Sequence, residues 1–150
     1  MERTAGAGVS MKAERADAPS SGRLSDRQAA ILVAFGLAFW LVAALFIRIA
    51  PFDVFGRGVG TVLLFAATLP LAWASVRVAE RIAALAPDQL LPGVALASAA
   101  AMLCDGVGLI WWGLYGDGDR LPGAAWLLWG VGLILFAAFL DGRRRTVRRG

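Results

Sequence analysis

The sequence predicts an all-α polytopic membrane protein, with four transmembrane helices in one antiparallel bundle and both termini in the cytoplasm. Three observations carry that expectation. Of the 150 residues, 59% are hydrophobic and only 17% charged, more apolar surface than a soluble domain of this length can hide. The charges avoid four long stretches, each near the ~20 residues that a helix needs to cross ~30 Å of hydrocarbon. The basic residues, finally, gather in alternate connections rather than evenly.

Residues 1–27 combine Ala, Gly, Ser and charge without apolar periodicity and include the breaker run Ala18-Pro19-Ser20-Ser21-Gly22. A disordered cytoplasmic tail is expected. The apolar run that follows is too long for a signal peptide and ends without a small-residue cleavage site, so it should remain as a span. The four-helix domain then covers 28–140, with spans at about 28–49, 58–78, 90–115 and 121–140, and a basic cytoplasmic tail fills 141–150.

The first span is uncharged between Arg27 and Arg48, and Pro51 stops it. Pro70 lies well inside the second, where a kink is expected and a neighbouring helix can satisfy the carbonyl that proline frees. Pro92 suits the first turn of the third span, where its missing N–H costs nothing. This third segment is longer than a crossing requires and carries Asp105 in its interior. The fourth begins after the polar loop Gly116-Asp117-Gly118-Asp119-Arg120 and ends before Arg143-Arg144-Arg145. Short loops make consecutive spans antiparallel neighbours, and no internal repeat is evident.

Orientation follows from the basic residues. Twelve Lys and Arg lie in the two tails and the middle connection, against three (Arg48, Arg57 and Arg120) in the other two connections. The inside-positive bias places both termini in the cytoplasm. Trp111, Trp112, Tyr115 and Trp126 then fall at the outer interface, where amphipathic rings prefer to sit. The net charge of +4 is in this light a topology signal, and no nucleic-acid partner is expected.

Histidine is absent and Cys104 is the only cysteine. Disulfides, Cys/His metal sites and imidazole catalysis are thereby excluded, and no cofactor or metal is expected. Cys104 reads as a packing residue, and the glycines lack the strand-then-helix context of a nucleotide loop.

Asp105 is the residue that chemistry singles out. At ~1.5 Å per residue it lies roughly 20 Å into the membrane from Leu90, where an ionised carboxylate facing lipid costs at least ~2.5 kcal/mol. Gly93, Ala97, Ala101, Asp105 and Gly108 recur at steps of four and three, so they share one helix face. Small residues there let another backbone approach and point Asp105 into the bundle. Its carboxylate either binds a proton or small cation or locks two helices together. Arg48, at the outer end of the first span, is the candidate partner, with snorkelling to the headgroups as the alternative. The arginine-rich C-terminus could bind anionic lipid, but a stop-transfer anchor explains it more simply.

Several apolar motifs also carry a resemblance: Phe46-Ile47-Arg48, Leu69-Pro70-Leu71, Leu91-Pro92-Gly93 followed by Asp105, and Ala125-Trp126-Leu127-Leu128-Trp129-Gly130. Over 29–140 the chain resembles a family of small bacterial membrane proteins filed as domain of unknown function 5367. That resemblance implies a four-span bundle in a bacterial cytoplasmic membrane and adds no activity.

The expected function is a non-enzymatic structural or accessory membrane component, whose partners are the lipid bilayer and, as options, a second copy or another membrane protein. The alternative is a small carrier or channel for protons or cations that uses Asp105. An enzyme is not expected, because no second intramembrane carboxylate, histidine or nucleotide motif accompanies Asp105.

Overall fold

A computed structural model describes residues 22–50, 52–56, 58–111 and 121–147. The expected disorder of the N-terminal tail falls, up to residue 21, outside the described residues, as do Trp112 and Tyr115 of the aromatic belt. Helices α1 (Asp26–Ile49), α2 (Val59–Ala83), α3 (Leu90–Ile110) and α4 (Leu121–Val147) make up almost all of the described chain, and a 3-10 turn at Phe52–Phe55 joins the first two. All four helices are long and apolar enough to cross a membrane.

Local chemistry explains the ends. Ser25 and Gln28 form a capping box: the Gln28 backbone N–H donates to Ser25 Oγ at 3.3 Å, and the Ser25 N–H donates to Gln28 Oε1 at 2.9 Å. Two orphan donors of the first turn are thus satisfied reciprocally. The Gln28 amide also donates to the Ala83 carbonyl and to Gln89 Oε1, each at 3.2 Å, which clamps the start of α1 to the α2–α3 connection. Part of the expected tail joins this clamp, since the Gly22 N–H donates to Asp88 Oδ2 at 2.7 Å and the Gln89 amide donates to the Arg23 carbonyl.

Two helices outlast the apolar stretches that predict them. α2 runs on to Ala83, where Ala84 takes a left-handed conformation (φ 48°) and the Leu85 N–H reaches back to the Glu80 carbonyl. Glycine usually fills such a terminus because it lacks a Cβ. α4 continues through what reads as a basic tail to Val147. Asp141 and Arg145, four residues apart, pair on one face and support those added turns.

The packing register shows how the helices lie. Gly93 sits against Leu32, Ala97 against Gly36, and Asp105 against Trp40. Both series rise together, so α1 and α3 run in the same direction. α2 and α4 do likewise, with Phe65 meeting Trp129, Arg77 meeting Asp141 and Glu80 meeting Arg145. Contacts pass from α1 to α3, to α4, to α2 and back to α1, while α2 and α3 scarcely touch. Consecutive helices are thus neighbours in the first and last pairs only. The link from α2 to α3 crosses the bundle, held at its corner by Gln28 and Gln89.

The interior is built mainly from small residues. Ala44, Ala72, Ala79, Ala83, Ala97 and Ala138 are buried, while Val42, Leu63, Leu103 and Leu128 point outward. In water that distribution would expose an aggregating surface. In lipid it is the expected one, because small residues bring helices together and large apolar side chains cost nothing facing acyl chains.

Candidate functional site

The α1–α3 seam holds Asp105, the acidic residue that the sequence places in the interior of a span. Where Gly36 meets Ala97 the two backbones approach so closely that a Cβ on Gly36 would overlap the Ala97 carbonyl oxygen and lie 2.9 Å from its carbon. Glycine is required here by space, not by dihedral angle. Gly93 is similarly hemmed, by Leu32 and Leu85 side chains 3.0–3.1 Å from where its Cβ would be. Gly93, Ala97 and Gly108 are buried and Ala101 is half-buried, packed with Trp40 and Ala44. The small-residue stripe on α3 therefore faces α1 along much of its length.

One turn beyond Ala101, the half-buried Asp105 accepts a hydrogen bond from Trp40 Nε1 at 2.7 Å. An indole N–H in hydrocarbon needs an acceptor and a carboxyl group there needs a donor, so each satisfies the other's desolvation cost. Arg48, the partner that the sequence suggested, stands exposed in the last turn of α1. It lies eight residues past Trp40, or ~12 Å along the helix axis. Cys104 is half-buried and packs against the Trp40 cluster.

Beside this pair a cavity of about 80 Å³ opens among all four helices, bordered by Phe39, Trp40, Ala72, Ala101, Asp105 and Trp126 among others. By volume it could hold several waters, at ~10–15 Å³ each. Its walls are nearly all carbon, however. Two of the three hydroxyls that border it, those of Thr68 and Ser75 but not Ser98, turn back on their own helix, Thr68 Oγ1 donating to the Leu64 carbonyl and Ser75 Oγ to the Leu71 carbonyl, both at 2.8 Å. A buried water needs two to four polar partners, and few are offered.

Two tryptophans in the first half of α4 make further interhelical hydrogen bonds. Trp126 is buried among the helices: it donates from Nε1 to Thr68 Oγ1 at 2.8 Å and packs against Phe46 and Phe55. Trp129 donates to the Phe65 carbonyl at 3.3 Å, in the turn that Pro70 deprives of a backbone donor. A neighbouring helix thus hydrogen-bonds α2 one residue from the carbonyl that Pro70 frees.

At the end where α2 and α4 finish, sequence reasoning missed a charged cluster. Arg77 bridges Glu80 at 3.4 Å and Asp141 at 3.3 Å; Arg145 pairs with Glu80 and, at 2.9 Å, with Asp141. The signal was present in Asp141, an acid standing directly after twenty uncharged residues and just before a run of arginines. Trp40 left a weaker signal, an indole deep in an apolar span with a carboxyl group at comparable depth on another.

No protein-family model, curated protein or solved structure matches the chain.

Proposed function

We propose that the chain is a non-enzymatic, structural or accessory protein of the bacterial cytoplasmic membrane, a four-span bundle in which α1 lies parallel to α3 and α2 to α4, with both termini in the cytoplasm. The supporting observation is the 2.7 Å hydrogen bond from Trp40 to Asp105 across the seam where Gly36 meets the Ala97 backbone. It gives the intramembrane acid a structural use, tying α1 to α3 above the Gly36–Ala97 crossing. The largely apolar lining of the adjoining cavity favours the same reading, since a proton or cation path needs polar groups to replace water. The basic residues of the connections support the orientation, and the resemblance to the small four-span bacterial family agrees with the architecture. The bilayer is the partner; a second copy or another membrane protein would be the client of an accessory role.

Reconstituted vesicles test the proposal. Neither the unsubstituted chain nor Asp105→Asn should pass protons, sodium or potassium above the leak of empty vesicles, while Asp105→Asn should unfold more readily. Flux through the unsubstituted chain that disappears in a folded Asp105→Asn variant would instead establish the carrier reading. A C-terminal tag reachable only from outside the cell would overturn the orientation.

A further inference from the structure

We propose that the cleft between the last turns of α2 and α4 binds the phosphate of an anionic phospholipid. The cleft, of about 510 Å³, is lined by Arg77, Glu80, Arg81 and Arg145, with the α2 terminus at Ala84 and Leu85 as its floor. That volume falls within the ~300–1,000 Å³ of ordinary ligand sites.

The charges are layered. The acids are the better covered, with Glu80 and Asp141 side chains 19% and 7% exposed, while the Arg77 and Arg145 side chains paired with them are 35% and 29% exposed. Three arginines thus face two acids that are mostly covered. The acids fix the two paired guanidiniums, and each guanidinium has five N–H donors, more than these pairs consume. Arg81 is exposed, and no ion pair among the described residues reaches it. A preorganised fork of this kind recognises phosphate oxygens.

Depth selects a lipid as the source of the phosphate. Arg77 is the first charge of α2, eighteen residues after Val59, and Asp141 the first of α4, twenty after Leu121. At ~1.5 Å per residue those lengths are ~27 and ~30 Å, so both helices reach the cleft as they leave the hydrocarbon. Trp73, one turn deeper, is 39% exposed and lies under the Arg77 guanidinium at 5.1 Å from the ring centroid. An indole between acyl chain and arginine marks headgroup level. Basic pockets between helices at that level suit anionic headgroups.

The test follows thermal unfolding of the full chain in zwitterionic detergent as phosphatidylglycerol, phosphatidylcholine or inorganic phosphate is titrated. Phosphatidylglycerol should raise the melting temperature saturably, and phosphatidylcholine should not. Arg81→Gln should weaken the phosphatidylglycerol effect about five-fold, the equivalent of ~1 kcal/mol per basic residue. Arg27→Gln, at the same end but outside the cleft, should leave it unchanged. Equal stabilisation by the two lipids, or equal weakening by the two substitutions, overturns the site. Inorganic phosphate acting at the same concentration as phosphatidylglycerol overturns the lipid as source. The lipid comparison uses the unsubstituted chain, so it decides the matter even if Arg81→Gln fails to fold. Its failure would leave the structural reading standing, because that reading is judged on Asp105 and ion flux.

Discussion

Replacing Gly36 by alanine puts the heaviest single demand on the fold. The added Cβ would overlap the Ala97 carbonyl oxygen and lie 2.9 Å from its carbon and 3.0 Å from its Cα. Carbon atoms in contact prefer ~3.5–4.0 Å, so the two helices must part by ~0.5–1 Å. The obstacle is backbone and cannot rotate away. Overpacking of this kind costs ~1–3 kcal/mol, and the backbone obstacle puts Gly36→Ala near the upper end. Parting the seam also lengthens the Trp40–Asp105 hydrogen bond, now 2.7 Å. Unfolding in mixed micelles with increasing SDS, followed by circular dichroism, should show a loss of ~2–3 kcal/mol. The penalty should also couple to the hydrogen bond: in a Gly36→Ala, Trp40→Phe double variant the two losses should sum to less than their separate values. A Gly36→Ala protein within ~0.5 kcal/mol of the parent would refute the close crossing, since that is the scatter of ordinary surface substitutions.

Three further outcomes follow from the same geometry. A double-mutant cycle of Trp40→Phe and Asp105→Asn should give a coupling of ~0.6–1.7 kcal/mol, the range for hydrogen bonds between membrane helices, and a value near zero would remove the tie assigned to this pair. Ala84→Gly should stabilise by ~1 kcal/mol, because Ala84 holds φ at 48° where a Cβ is strained; a neutral or destabilising result in the same unfolding assay would contradict the left-handed terminus. Asp141→Asn should cost ~1–3 kcal/mol, since Asp141 is buried and answers two arginines, and should speed amide exchange over the last turn and a half of α4; unchanged exchange there would mean those turns do not depend on the ion pairs.

Asp105 shows how far the site could be read from residues alone. Its place on a small-residue face was legible because helical spacing is periodic and a lipid-facing carboxylate is too costly. Its contact with Trp40 was not fixed by the residues alone, since which side chains of the first span lie beside Asp105 depends on the register of α1 against α3. That register depends on where two glycine-and-alanine surfaces interlock, at Gly36 and Ala97. The sequence names both residues but not their meeting.

Four helices long and apolar enough to cross a membrane, and the sign of the connections, follow from hydropathy and charge, properties each residue carries by itself. Neighbour relations do not. The near-absence of contact between α2 and α3, the burial of Trp126 beside Thr68, and the extension of α4 to pair Asp141 and Arg145 with α2 arise only when four helices share one interior. Apolar side chains attract one another without direction, so which faces meet is decided by shape and by a few polar groups that must find each other as the helices close.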